Sequence, residues 1–277
     1  MLEPEGGRGS AGAAVMVIPV RIRHTRAPSA RQKSGEGFNV SLIAPEEGNG
    51  TPMNTQDYIP EDIVAFWFPD GDAPTADEHI RLWNWRMRGG AHEEVIKRFS
   101  DLTTRAAAGD LDHWGDTPVG RLALTLIFDQ FTRSVWAGTP RAYAYDERAR
   151  DLCLEGLKNG HFDALENVWQ KAAFKIPLEH CECADPADHL ANLDIAISIG
   201  DRLIDEAPPH LRQVREMGAA QPRRHRAVIA RFGRHPHRNA VLGRDSTPEE
   251  LDYIATGDFP HTTKLGVPSQ DARDTHQ

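Results

Sequence analysis

The fold is decided by the stretch Thr117-Pro-Val-Gly-Arg-Leu-Ala-Leu-Thr-Leu-Ile-Phe-Asp-Gln-Phe-Thr-Arg-Ser-Val-Trp136. Thr-Pro is a common helix start, because a proline at the first helical position loses no intrahelical hydrogen bond. The apolar residues that follow recur at spacings of three and four. They predict the most apolar helix of the chain, from Arg121 to about Trp136.

The apolar face of this predicted helix ends in charged residues. Spacings of four, three and four place these side chains on one face: Leu122, Leu126, Asp129 and Arg133. A charge near the core is costly alone, so the pair either ties the helix to a neighbour or belongs to a functional site. We therefore take Asp129 as a candidate catalytic residue, and Gln130 and Arg133 as candidate ligand-binding residues.

Helical patterns with start and stop signals recur on both sides of this stretch. They predict helices over residues 60–68, 93–108, 139–159, 164–183, 187–207 and 211–232, and one that begins at Ser246-Thr-Pro-Glu-Glu250. Pro177 should interrupt the fourth of these. No alternating run of β-branched residues predicts a strand. The chain is therefore expected to be all-α, with antiparallel helical hairpins that stack or form a bundle.

Composition predicts where the folded domain begins and ends in the 277-residue chain. The first part of the chain is rich in Gly, Ser, Glu, Arg and Pro, and such a segment buries too little apolar surface to offset its ordering entropy. We expect residues 1–56 to be a disordered or mis-assigned extension, with Met53 as an alternative start. A single α-helical domain over 57–260 and a disordered tail over 261–277 should follow.

Charge, hydropathy and cysteine content limit the class of protein. The formal net charge of -9 disfavours nucleic-acid binding by the chain as a whole. No apolar run approaches the roughly 18 residues of a membrane span, and the N-terminal region lacks the pattern of a signal peptide. Three cysteines are too few for a disulfide framework. We expect a cytoplasmic protein with reduced thiols and without a membrane or nucleic-acid partner.

A second polar motif, Pro177-Leu-Glu-His-Cys-Glu182, follows an apolar segment. A proline within a helix bends it and re-aims the side chains that follow. Glu179 and Glu182 are three residues apart on one helical face, with His180 beside them. This pattern is typical either of a solvated face or of paired carboxylates that bind a divalent metal or transfer protons. Glu179 and His180 are the candidate catalytic residues here.

A segment rich in Arg and His, residues 223–239, contains no carboxylate although the chain is acidic overall. Such a density of cations either binds an anion or neutralises carboxylates of other segments. A solvated basic loop is the alternative. The candidate catalytic residue of this segment is His225, and the candidate ligand-binding residues are Arg231, Arg234, His237, Arg238 and Asn239.

Together these motifs resemble a bacterial family known as domain of unknown function 924. The matching motifs run in order over roughly residues 59–259 and include Ala65-Phe-Trp-Phe68, Asp129-Gln-Phe-Thr-Arg133, Pro177-Leu-Glu-His180, Arg231-Phe-Gly-Arg-His-Pro-His-Arg-Asn239 and Leu242-Gly-Arg-Asp-Ser-Thr-Pro-Glu-Glu250. The resemblance implies an all-helical, tetratricopeptide-like right-handed array and almost nothing about activity. It also implies that residues before about Tyr58 lie outside the shared domain.

The chain departs from the usual pattern of this family in two motifs. Thr132 and Ser134 stand where the family usually has Pro and Asn. Cys181 and Cys183 stand where it usually has Ser and Asp. A role for that family hydroxyl or carboxylate therefore does not carry over to this chain.

Two functions of different classes fit these residues. In the first, the charged motifs converge on one concavity that binds a small anionic ligand, with Asp129 or Glu179 as base and His180, His225 or His237 as acid. Metal assistance stays open, and no motif names a cofactor. In the alternative, a tetratricopeptide-like groove binds an acidic peptide without catalysis. A deep pocket favours the first function, and a long open groove favours the second.

Overall fold

The helices begin and end close to the predicted positions. The computed structural model describes residues 58–71 and 74–262, all within one compact unit. Its α-helices are α1 (Pro60–Trp67), α2 (Ala76–Met87), α3 (His92–Ala108), α4 (Pro118–Leu126), α5 (Thr132–Val135), α6 (Asp146–Lys158), α7 (Val168–Phe174), α8 (Pro177–His180), α9 (Pro186–Glu206), α10 (Arg212–Phe232) and α11 (Pro248–Thr256).

The described residues confirm the expected fold class. No residue of the described ranges lies in a β-strand, so the chain is all-α there. The same ranges contain no helix that combines the length and the apolar character needed to cross a membrane. The expected extension over residues 1–56 and most of the expected tail lie outside the described residues. The tetratricopeptide-like geometry and the domain boundaries stay predictions.

Side-chain caps and glycines set the helix ends. Thr117 accepts a hydrogen bond from the backbone N–H of Gly120 at 3.1 Å and so caps α4. At the start of α11, the side chain of Thr247 and that of Glu250 cap each other's backbone N–H groups, as the sequence predicts. Helix α10 ends at Gly233 with φ of 70°, a left-handed conformation that glycine adopts without strain.

The predicted helix from Arg121 to Trp136 is interrupted by a π-helical turn. Helix α4 passes into this turn at Ile127–Phe131, and α5 continues from it. A π turn contains one more residue per turn than an α-helix and is frequent at functional sites. Asp129 and Gln130 lie in this turn, whereas Phe128 and Phe131 are fully buried in the core.

Pro177 divides the next polar motif, as predicted. Helix α7 ends at Phe174, and the short helix α8 begins at Pro177 and ends at His180. The chain is extended at Cys181, with φ of -70° and ψ of 113°. The break directs Glu179 and His180 towards the long hairpin of α9 and α10.

Small residues let α9 and α10 approach each other closely. A methyl group added to Gly200 of α9 would lie 3.6 Å from the Cα atom of Ala219 in α10 and 3.9 Å from the side chain of Lys175. The hairpin therefore forms one wall beside the polar end of α7 and α8. Helix α2 stands on the other side of the same space and has no counterpart among the predicted helices.

Candidate functional site

A cavity of about 330 Å³ lies among α2, α7, α8, α9, α10 and the segment after α10. Its lining includes these predicted site residues: Gln130, Arg133, Glu179, His180, His225, His237 and Arg238. The cations among its described lining residues are Arg86, Arg88, Arg133, Lys175, Arg215 and Arg238, while the carboxylate among them is Glu179. The lining of the cavity is therefore rich in positive charge.

Two of the predicted cations share one buried carboxylate, Asp146. Arg133 binds it at 3.0 Å and Arg238 binds it at 3.1 Å. Arg238 also donates a hydrogen bond to the backbone carbonyl of His180 at 2.9 Å. These contacts fasten the segment after α10 to the start of α6 and to the end of α8. Much of the charge of Arg133 and Arg238 is thus offset within the fold.

Asp129 orients His180 at the cavity wall. The Nδ1 atom of His180 lies 2.9 Å from the carboxylate of Asp129. Although burial alone would raise the pKa of Asp129, the charges of His180 and Arg133 and the hydrogen bonds it accepts hold that pKa at about 2. An ionised Asp129 only accepts hydrogen bonds, so Nδ1 of His180 carries a proton. In the neutral imidazole, Nε2 is then a hydrogen-bond acceptor, and no described residue donates a hydrogen bond to it.

Lys175 and Glu179 form a buried ion pair at the wall of the cavity. They lie one helical turn apart, with side-chain exposures of 6% and 4%. The Nε2 atom of His225 is 4.0 Å from the carboxylate of Glu179. Burial, aided by the charges of His180 and Arg238, lowers the pKa of His225 well below its usual value. His225 is therefore neutral, and Lys175 is the group that compensates Glu179.

His225 belongs to a group of packed imidazoles, of which His189, His225 and His235 are buried and His237 is partly buried. The ring of His235 lies 5.4 Å from that of His225, 5.5 Å from that of His189 and 5.5 Å from that of His237. Burial lowers the pKa of each, to about 4 for His189 and to about 2 for His237. Neither ring nitrogen of His235 has a hydrogen-bond partner. This group is therefore uncharged at neutral pH.

The opposite wall contains a charge cluster that sequence reasoning missed. Asp70 forms a two-pronged ion pair with Arg86 and binds Nδ1 of His79 at 2.7 Å. The other ring nitrogen of His79 lies 3.2 Å from a guanidinium nitrogen of Arg215. Since Arg215 can only donate, His79 accepts with Nε2 and donates with Nδ1. Burial lowers the pKa of His79, which is consistent with a neutral ring.

Arg215 is buried without a carboxylate partner among the described residues. Its guanidinium packs over the ring of Trp83 at 5.0 Å, and its Nε atom has no hydrogen-bond partner. Burial and the charge of Arg86 lower its pKa to about 10, although the charge of Asp70 acts in the opposite direction. The side chain is still a cation at neutral pH. Because His79 is neutral, it holds Arg215 in place without offsetting this positive charge.

Three predicted ligand-binding residues lie outside the cavity. Arg231 pairs with Glu249 at 2.8 Å on the surface, and Arg234 pairs with Glu250 at 2.7 Å. Asn239 donates a hydrogen bond to Glu250 at 3.2 Å. These contacts correct the expectation that Arg231 and Arg234 face the common concavity. The physical reason is that the acidic first turn of α11 packs against this part of the segment. Its carboxylates accept the hydrogen bonds that these side chains donate.

Glu179 and Glu182 do not form the pair expected from their spacing. Helix α8 ends at His180, so Glu182 turns away and binds Arg244 and the backbone N–H of His235 at 2.7 Å. Across the described part of the chain, no three or more His, Cys, Asp or Glu side chains are arranged to hold a metal ion.

The missed residues carried weak local signals. Arg215 lies in a regular amphipathic helix, and nothing in its neighbourhood distinguishes it from a surface arginine. The signal for α2, which carries Arg86 and His79, was stronger: Thr75 and Glu78 form a capping box, with Thr75 Oγ1 accepting from the Glu78 N–H at 3.3 Å. Asp146 becomes recognisable only through its two distant arginine partners.

Comparisons with known proteins agree with this architecture. A family model described as a bacterial protein of unknown function, DUF924, matches residues 63–258. A solved structure, described as a protein of unknown function ATU0120 from Agrobacterium tumefaciens, is similar with a TM-score of 0.53 and 31% sequence identity. That similarity covers 72% of this chain and 97% of the other. No functionally curated protein matches the chain.

The matched region contains the elements that form the cavity. It runs from within α1 to just beyond α11, and it therefore includes Asp70, Arg86, Asp129, His180 and Arg215. The motifs quoted from the sequence fall in the same region. The chain belongs to the bacterial family of unknown function DUF924.

Proposed function

We propose that the protein binds a small organic anion in the cavity and that Arg215 holds the charge of this ligand. The observation that carries the proposal is the buried guanidinium of Arg215, whose hydrogen-bond partner is the neutral ring of His79. A buried cation without a directly paired carboxylate is costly, and a bound anion would offset that cost. The planar guanidinium fits a carboxylate or a phosphate with two parallel hydrogen bonds.

The size and walls of the cavity support a small ligand. Its volume of about 330 Å³ lies at the lower end of the roughly 300–1,000 Å³ common for small-molecule sites. Trp67, Trp83 and Tyr143 supply aromatic wall, which suits the carbon skeleton of an organic acid. A tetratricopeptide-like module for acidic peptides would need a long open groove. A cavity of this volume favours the small molecule.

The cavity also supports proton transfer as the reaction class. His180, oriented by Asp129 at 2.9 Å, offers Nε2 as a base or, when protonated, as an acid. Glu179 provides a carboxylate on the same wall, beside Lys175. A ligand anchored by Arg215 would lie in the same cavity as these groups. We infer acid–base chemistry on an organic acid, with His180 as the proton-transfer residue.

The cytoplasm is the location that we propose for this activity. Cys153, Cys181 and Cys183 are all free thiols, which fits a reducing compartment. The anion would then be a cytoplasmic metabolite.

Native mass spectrometry of the purified protein tests the proposal. The wild-type protein should carry a small anionic molecule that the Arg215→Met variant has lost. Arg212→Met is the matched control, since Arg212 lies on the same helix but pairs with Asp205 on the surface. A bound species that Arg215→Met retains, or a bound peptide, would contradict the assignment.

A further inference from the structure

Two cysteine sulfur atoms lie against the same guanidinium nitrogen, and neither cysteine lines the cavity. Nη1 of Arg150 is 3.5 Å from Sγ of Cys181 and 3.6 Å from Sγ of Cys183. Asn192 donates a further hydrogen bond to Cys183 at 3.4 Å. Cationic and amide N–H donors around a sulfur stabilise the thiolate form, which is the nucleophile in thiol chemistry.

The two thiols differ in exposure and therefore in role. Cys183 is partly exposed, whereas Cys181 is buried. Burial is the main cause that raises the pKa of Cys181, to about 12. Cys183 also receives two of the surrounding donors, from Arg150 and Asn192. Cys183 is thus the thiol that a dissolved oxidant reaches, and Cys181 is the neighbour that can complete a disulfide.

We propose that Cys183 and Cys181 form a dithiol site that hydroperoxides oxidise to an intramolecular disulfide. In the first step, the Cys183 thiolate attacks a peroxide oxygen, so that an S–O bond forms and the O–O bond breaks. The leaving oxygen takes a proton and departs as water or an alcohol. The Cys181 thiol then attacks the Cys183 sulfur, an S–S bond forms, and the hydroxyl leaves as water with the Cys181 proton.

The disulfide would act on the adjacent cavity wall through the backbone. Cys181 directly follows His180, whose carbonyl accepts the hydrogen bond of Arg238 at 2.9 Å. An S–S bond of roughly 2.0 Å between the two residues would constrain the backbone of residues 181–183. Oxidation would therefore act next to the end of α8 and to the dyad of His180 and Asp129.

Peptide mapping of the peroxide-treated, full-length protein tests this site. The wild-type peptide that contains Cys181 and Cys183 should have the mass of a disulfide, two hydrogens less than the dithiol. Cys153 should still react with an alkylating reagent after the protein is unfolded. Cys153 is the internal control, because it is fully buried and burial raises the pKa of its thiol. In Cys181→Ser, a sulfenic acid should persist on Cys183 and react with a dione trap.

Substitution of the donor separates this proposal from ordinary thiol oxidation. Arg150→Met should slow disulfide formation severalfold, because it removes the cationic N–H donor beside both sulfur atoms. Arg148→Met, on the same helix but paired with Asp112, should keep the wild-type rate. First oxidation at Cys153 or Cys181, disulfides only between molecules, or equal rates in both arginine variants would overturn the proposal. The mapping of the wild-type protein decides the question even if a variant fails to fold.

Discussion

Arg238 and Arg231 lie on one segment but have opposite surroundings, which gives a prediction at the scale of single residues. Arg238 pairs with Asp146 at side-chain exposures of 5% and 7%, whereas Arg231 pairs with Glu249 at 52% and 62%. Arg238→Met would leave the buried carboxylate of Asp146 with Arg133 alone and the carbonyl of His180 without its guanidinium donor. Arg238→Met should therefore lower the free energy of unfolding by about 3–5 kcal/mol, and Arg231→Met by less than about 1 kcal/mol.

Urea denaturation of both variants measures the two values. Equal losses in Arg238→Met and Arg231→Met would mean that Asp146 is adequately satisfied by Arg133 alone. A clear difference is expected, because Arg238 is buried and also donates to the carbonyl of His180, whereas Arg231 is exposed.

The same residues show what local sequence can and cannot predict about a site. The density of arginine after α10 marked a polar segment, and Arg238 and His237 do reach the cavity. Arg231 and Arg234 could not be distinguished from Arg238 in the sequence, but both form ion pairs with carboxylates of α11. Whether a cation is compensated depends on partners far along the chain. Arg215, which lacks a carboxylate partner among the described residues, has an ordinary sequence context.

The junction before α4 gives a prediction at the scale of an element. A methyl group added to Gly120 would overlap the backbone carbonyl of Trp114, which cannot move away as a flexible side chain would. Gly120→Ala should therefore destabilise the protein by about 1–3 kcal/mol or more, the usual cost of overpacking. Gly115→Ala is the matched control, since its added methyl group would make only ordinary contacts of 3.7–3.9 Å.

Thermal melts of the two glycine variants decide this prediction. A Gly120→Ala protein that melts with the wild type, or a Gly115→Ala protein that is equally destabilised, would show that the junction is not closely packed. The result also matters for the site, because α4 leads into the π turn that positions Asp129.

Helices were predictable where caps and periodicity agreed, and less so where packing decides the backbone. The buried apolar face of α3 and the capping box of Thr247 and Glu250 are present as the sequence predicts. The π turn at Ile127–Phe131 was not visible, because its residues continue an α-helical pattern. Pro222, inside α10, did not end that helix. The low helix propensity of proline is outweighed there by the packing of α10 against α9 along their length.

At the scale of the whole molecule, the buried histidines predict a loss of stability in acid. Burial lowers the pKa of His189, His225, His235 and His237, to about 4 for His189. The unfolded chain protonates near the ordinary value of 6.5 while the folded protein does not. Folded stability is therefore fully present above about pH 6.5 and declines as the pH falls from there towards 4.

His235→Phe isolates one member of this group. Each histidine that stays neutral in the fold contributes about 1.4 kcal/mol per pH unit to the slope below its unfolded pKa. Denaturant unfolding at a series of pH values should give a shallower slope for His235→Phe by about this amount. His113→Gln is the control, since His113 is exposed. Identical slopes for the wild type and both variants would contradict the buried, neutral assignment.

The central claim is that the positive charge of Arg215 is left for a ligand, and thermal shift with a panel of small anions tests it most directly. The panel should contain inorganic phosphate and mono- and dicarboxylic acids, applied to the wild type, Arg215→Met and Arg212→Met. At least one anion should raise the melting temperature of the wild type and of Arg212→Met, and none should raise that of Arg215→Met. Equal shifts in all three proteins, or a shift by acidic peptides alone, would contradict the account.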